Sequence, residues 1–155
     1  MAIGRMKAGP EGELVGRYLE RFRPLGRGLG LDGIRVVEPS ESAARRGEDR
    51  KAEEAMAIAA AIPDGFARVV FDERGQSIDS ATFARRIGDW RAENRAGLAL
   101  VIGGADGLAS PLVQQADLAL SFGRMTLPHQ IVRVLVAEQL YRAATILAGH
   151  PYHRA

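Results

Sequence analysis

The stretch that most constrains this chain runs from Leu98 to Arg142: LALVIGGADGLASPLVQQADLALSFGRMTLPHQIVRVLVAEQLYR. An apolar run, a glycine turn, a short helical segment, a second apolar run, a polar loop and a long apolar helix opening on Pro128-His129 succeed one another in that order. Apolar runs separated by helices call for parallel strands joined by crossovers. The pattern predicts an α/β protein with a mainly parallel sheet, right-handed connections and helices on both faces. Open sheets of this kind present ligands to the loops at their strand C-termini. Here those loops are Gly103 to Gly107 and Phe122 to Leu127.

Upstream the alternation continues. Met1 to Gly4 reads as the tail of a strand. Leu14, Val15, Tyr18, Leu19 and Phe22 recur at helical spacing, predicting an amphipathic helix from about Glu11 until Pro24 stops it. Gly28, Gly30 and Gly33 then satisfy the dinucleotide pattern G-x-G-x-x-G. That motif has a mechanism only when it follows a strand and opens a helix. Here it follows a proline-ended helix and leads into Ile34 to Val37, which reads as a strand. A nicotinamide dehydrogenase built on it fails on context. Pro39 to Arg50 reads as a polar loop in which Arg45 and Arg46 suit RNA phosphates or a solvated charge cluster.

A helix is expected from about Asp49 to Ile62, ended by the turn Pro63-Asp64-Gly65. Ala67 to Phe71 reads as a strand leading into a turn over Asp72 to Gln76. The carboxylates of Asp72 and Glu73 suit a ribose or amino group, or simply solvent. Ser80 is expected to cap a helix that buries Phe83, Ile87 and Trp90 and closes near Asn94 and Gly97.

The 155 residues are expected to form a single domain, and 46% hydrophobic with 26% charged residues describes a globular chain rather than a disordered one. No apolar run approaches the roughly 20 residues of a membrane helix. MAIGRMKAGPEGE lacks the apolar core of a secretory signal, and cysteine is absent, so a cytoplasmic protein is expected. A net charge of +2 does not by itself mark a nucleic-acid binder. The cations are nevertheless almost all arginine, lysine standing only at Lys7 and Lys51. Arginine suits bidentate phosphate contacts, although GC-rich coding produces the same bias.

The last helix, from Pro128 to about Ala148, is apolar nearly all round, which calls for two partners: the sheet and a second copy of the chain. Within it His129 and Arg133 are four apart, as are Glu138 and Arg142. Charges embedded in so apolar a helix are costly unless paired or used. The terminal HPYHRA reads as a frayed end or as groups that stack on an unpaired base. Histidines without cysteine or nearby carboxylates make no metal site, and none is assigned.

VIGGADGL, ALSFGRMTLPHQIVRVLVAEQLYRA and the terminal HPYHR together resemble the bacterial ribosomal large-subunit pseudouridine N3-methyltransferases, the RlmH family of the SPOUT superfamily. The likeness is dense over the C-terminal part and looser before it. GRGLGLDG departs from the family pattern, and family members begin with a fuller first strand. The resemblance implies a deep trefoil knot over about residues 98–147, S-adenosyl-L-methionine folded into its loops, and a homodimer through the last helix. Carried over by motif, the cofactor contacts fall on Phe71, Gly103, Phe122, Gly123, Arg124, Met125, Thr126 and Leu127. The catalytic positions fall on His129, Arg133, Glu138 and Arg142, with Tyr152 and His153 reaching in from the partner chain. The implied reaction methylates N3 of a pseudouridine in 23S rRNA on the ribosome, with neither DNA nor a membrane as partner. The alternative is a non-catalytic ribosome-binding or assembly module that retains the knot.

Overall fold

The computed structural model describes residues 1–152. In chain order they form α1 (Pro10–Gly28), α2 (Gly47–Ala61), β1 (Phe66–Gln76), α3 (Ser80–Ala92), β2 (Gly97–Ile102), α4 (Ser110–Gln114), β3 (Leu118–Leu120) and α5 (His129–Leu147). The expected α/β class and parallel sheet are observed. The strands lie parallel in the order β2-β1-β3, with Phe71 level with Ile102 on one side and Leu120 on the other. Residues 1–6, 36–77 and 96–129 make one compact unit around this sheet. Residues 7–35 and 78–95, with the described residues from 130 on, make a second.

The sheet unit is held by apolar burial. Ala67, Val69, Val70 and Phe71 of β1 are all buried, the near-continuous apolar run of a central parallel strand. Ile58 and Ile62 from α2 and its C-cap, and Leu112 of α4, close on Val70, Val101 and Ile3. Met1 to Ile3 lies along the outer side of β2: Ala2 bridges Ile102 in parallel, Ile102 N–H donates to Met1 O (3.0 Å), and Ile3 N–H donates to Ile102 O (3.2 Å).

Ile34 to Val37 is not a strand. Its bond to the start of the chain runs one way, from Ala2 N–H to Val37 O (3.0 Å), and Val36 is 59% exposed. β-propensity without a face to bury does not fix a ladder. The expected turn over Asp72 to Gln76 is instead the outer half of β1, which pairs Leu120 first through Phe71 and again through Gln76. Gly75 makes this irregularity possible. A Cβ there would lie 2.5 Å from the carbonyl carbon of Leu120 and 2.7 Å from its nitrogen. A glycine in a strand marks such a close approach of backbones.

The second unit gathers α1, α3 and the body of α5. Phe22, Phe83, Ala84, Ile87, Trp90, Leu140 and Ala144 are buried, the side chain of Leu147 lies against Gly88, and Ser80 Oγ is 2.7 Å from Gln139 Oε1. Pro24 does not end α1, which continues to Gly28. One proline removes one donor, while the last turn is fastened from beyond it. Leu31 N–H donates to Gly26 O (2.7 Å) and Gly30 N–H to Arg27 O (3.1 Å). Gly30 sits between them at φ +69°, completing a Schellman cap. Two of the glycines that imitate a nucleotide fingerprint, Gly28 and Gly30, therefore belong to the end of a helix. Asn94 ends α3 and Gly149 ends α5 with the same pair of bonds. The N-cap of α3 is Asp79 rather than Ser80, its carboxylate accepting from Thr82 N–H at 2.7 Å. Both residue types cap well, and the carboxylate adds a favourable charge at the helix start.

Candidate functional site

In the sheet unit the candidate site is built from the segments just beyond the strand ends. Phe71, the last apolar residue of the inner half of β1, stacks on Phe122 with ring centroids 5.3 Å apart and planes 5° apart. Two of the sequence-selected residues, one on β1 and one just beyond β3, are thus brought into contact. The loop beyond Phe122 is shaped by Ser121, whose hydroxyl donates to Gly123 O (2.8 Å) and accepts from Gly123 N–H (3.1 Å). Ser121 N–H itself donates to Gln76 O at 3.0 Å, so the outer half of β1 holds the base of the loop. Arg124, Met125 and Thr126 are exposed and Leu127 is half-buried. Met125 is 83% and Phe122 38% exposed.

After β2, Gly103 opens a tight loop closed by Gly107 N–H donating to Gly104 O (3.1 Å). A Cβ on Gly103 would meet the Gly107 carbonyl carbon at 2.9 Å and Leu108 at 3.0 Å. The loop's own closure therefore already requires glycine there. Ionic groups then fix the loop from outside. Arg50 on α2 grips Asp106 with Nε to Oδ2 at 2.6 Å and Nη2 to Oδ1 at 3.0 Å. The same guanidinium donates through Nη1 to the carbonyls of Ala44 and Arg45, each at 3.0 Å. Hydrogen bonding by Arg50 holds the Asp106 carboxyl below its ordinary range. The buried Glu54 accepts from Ser42 N–H at 3.1 Å, and its carboxylate lies against Gly104. Asp72, whose side chain is almost covered, is gripped by Arg74 (2.8 and 3.0 Å) and held below the usual carboxylate range by it.

In the helical unit, α5 carries the polar cluster. Glu138 pairs with Arg142 one turn on, Nη2 to Oε1 at 2.7 Å and Nε to Oε1 at 2.9 Å, as their spacing predicts. Tyr152 folds back over this pair within the same chain. Its hydroxyl donates to Glu138 Oε1 (3.2 Å), its ring packs 4.8 Å from Tyr141, and the Arg142 guanidinium lies 4.9 Å above it. Gln139 Nε2 donates to the other carboxylate oxygen at 2.7 Å. Burial pushes the Tyr152 phenol up to about 12, with the nearby Glu138 charge adding to it. Hydrogen bonding to Glu138 raises Arg142 above the ordinary guanidinium value. Arg133 is buried; His129, the first residue of α5, falls in the sheet unit instead and is half-buried. His153 lies outside the described residues.

Sequence reasoning misses Arg50, Glu54, Arg74, Ser121 and Gln139. Polar residues on amphipathic segments look solvated, and the local turn signals here, Gly75 after Arg74 and Gly123 two residues after Ser121, name no partner for either side chain.

The family model described as "Predicted SPOUT methyltransferase" matches residues 1–153. A Bradyrhizobium sp. (strain ORS 278) protein named "Ribosomal RNA large subunit methyltransferase H" is 61% identical over 155 residues, covering 100% of this chain and 96% of that one. Proteins of the same name from Rhodopseudomonas palustris (strain HaA2) and Rhizobium meliloti (strain 1021) are 59% and 54% identical, covering 100% and 99% of this chain and 97% and 96% of their own length. The chain belongs to the SPOUT methyltransferase family, within its RlmH group.

Proposed function

We propose that this chain is a ribosomal RNA methyltransferase that moves a methyl group from S-adenosyl-L-methionine to N3 of a pseudouridine in 23S rRNA, acting on the ribosome as a cytoplasmic homodimer. The observation that carries the reading is full-length identity of 61% to a protein named for large-subunit ribosomal RNA methylation. The strand-end loops support the donor's place. Phe71 and Phe122 offer an aromatic wall, Met125 an exposed apolar side chain, and Gly103, Gly123, Arg124, Thr126 and Leu127 backbone and polar contacts. The family's trefoil knot, over about residues 98–147, belongs to the same reading. The dimer rests on α5, where Ile131 is 37% exposed and Val132, Val134 and Leu135 are only half-buried.

The donor supplies an electrophilic sulfonium methyl, and the chain's own residues supply position and proton handling. N3 of the base carries a proton that leaves as the methyl arrives. Tyr152, with its phenol at about 12, stays protonated at physiological pH and acts as a donor. Arg133 and Arg142 remain cations, suited to uracil oxygens or phosphates. Glu138 already accepts from Arg142, Tyr152 and Gln139. That leaves the imidazole of His129, or water, to take the proton, with His153 a further candidate. Holding methyl and nitrogen in line supplies much of the remaining rate.

The test is transfer of labelled methyl from S-adenosyl-L-methionine to unmethylated ribosomes, with the product nucleoside identified by mass spectrometry. A methyl on N3 of a pseudouridine is expected. Ribosome binding without any methyl transfer, under conditions where a relative turns over, would favour a non-catalytic module.

A further inference from the structure

The guanidinium of Arg50 joins two segments that sequence spacing keeps apart. Two of its nitrogens hold Asp106 in the Gly103–Gly107 loop, and the third holds the carbonyls of Ala44 and Arg45. Arg45 and Arg46 are both exposed and lie at the point fixed by these bonds. Ser42 adds further anchors, its N–H donating to Glu54 (3.1 Å) and its hydroxyl to Glu53, while Ala44 N–H donates to Ser42 Oγ (3.1 Å). The backbone of this segment is therefore pinned while its two arginine side chains face solvent.

These arginines do not serve the helix they precede. Arg46 is the N-cap of α2 and its side chain makes no capping bond. A cation at a helix N-terminus is also opposed by the helix dipole. Nearby carboxylates are largely occupied: Glu48 by Lys51 at 2.6 Å, Glu53 by Ser42, Glu54 by Ser42 N–H, and Asp106 by Arg50. Asp49 and Glu41 remain as local negative charge.

We propose that Arg45 and Arg46 form a phosphate-binding arm for the substrate RNA, held at a fixed place beside the Gly103–Gly107 loop by Arg50. The inference rests on the ribosomal RNA methyltransferase reading and adds to it a second contact point that orients the RNA backbone. Arginine's planar fork suits phosphate oxygens, and such contacts set register rather than read sequence. Asp106 is a positioning residue here, acting through Arg50.

The test measures binding of the full-length protein to unmethylated ribosomes across a salt series, beside methyl transfer and S-adenosyl-L-methionine affinity. For the R45A/R46A double variant, ribosome Kd and KM should rise roughly tenfold and the slope of log affinity against log salt should fall by about 1.5. Donor affinity should be unchanged, and R45K/R46K should recover most of the loss. D106N should weaken both donor and ribosome binding, with its melting temperature near wild type because the pair is exposed. Wild-type Kd and salt slope in R45A/R46A would overturn the proposal. So would a loss of binding that salt does not modulate, which would indicate contact with ribosomal protein rather than phosphate. Salt-dependent binding that needs the arginines, with no methyl transfer by the wild-type protein, would keep the arm and remove the enzymatic reading.

Discussion

Replacing Gly75 with alanine tests whether the outer half of β1 governs the loop after β3. The new Cβ would stand 2.5 Å from the Leu120 carbonyl carbon, 2.7 Å from its nitrogen and 2.7 Å from its oxygen. All three are backbone atoms, so no side chain can swing away, and β3 must move by an appreciable fraction of an ångström. Overpacking of this sort costs about 1–3 kcal/mol. The same chemical change at Gly16 in α1 meets nothing within 4 Å. In a helix interior, alanine for glycine there should stabilise by roughly 0.5–1 kcal/mol. The two substitutions are thus expected to have opposite signs, read from guanidinium unfolding midpoints at constant m. Displacing Leu120 also disturbs Ser121 N–H on Gln76 O (3.0 Å) and, one residue on, the stack of Phe122 on Phe71. Donor affinity should fall in the Gly75 variant and not in the Gly16 variant. Equal stabilities for the two would refute the packing argument. A destabilised Gly75→Ala with wild-type donor affinity would refute the link to the loop.

Removing the carboxylate cap by Asp79→Ala should cost about 1 kcal/mol in unfolding experiments, with Ser or Asn recovering most of it. Arg74 holds the Asp72 carboxyl low in the folded state, so this pair contributes stability above the unfolded carboxyl value of 3.8 and loses it as pH falls through the folded value. Asp72→Asn should therefore lower the midpoint at neutral pH and flatten its acid dependence below about pH 4, tracked by urea unfolding at stepped pH. Tyr152 is the reverse case: with the folded phenol near 12 against 10 unfolded, its contribution is complete below pH 10 and is lost as pH rises towards 12. Ultraviolet titration of phenolate should show a late-ionising component that is lost in Tyr152→Phe; an unchanged curve would remove the docked geometry.

The order of elements from Leu98 to Leu147 could be read directly because each carries a local signal that tertiary context leaves alone. Apolar runs of strand length, the Gly103–Gly107 turn and Pro128 ahead of a long apolar helix all keep their meaning when the chain folds. The misread segments depended instead on partners far along the sequence. Gly75 looks like a turn residue unless Leu120 is known to press on it. Ile34 to Val37 has strand composition but no buried face to pair against. Pro24 looks like a stop unless the Schellman bonds beyond it are counted. At the candidate site the sequence motifs point to Phe71 and Phe122 separately, and only the fold shows that the two rings stack. Nothing in the spacing between residues 71 and 122 encodes a parallel register.

The charged residues divide along the same line, and the division bears on how this fold builds a site. Glu138 and Arg142 are linked by helical periodicity, so their pairing follows from spacing alone. Arg50 and Asp106 pair across a loop and a helix far apart in sequence, and no period connects them. An exposed ion pair adds little to stability, so its value lies in geometry rather than in holding the fold together. Asp106 occupies a loop that its glycines allow to turn tightly but cannot by themselves place. Arg50 supplies that placement through a bidentate grip, while its third nitrogen fixes the segment of Arg45 and Arg46. A lysine at position 50 would preserve the charge but not the fork, and would have to give up either the loop or the segment. An arginine there is accordingly the structural requirement, independent of the arginine-rich composition of the rest of the chain.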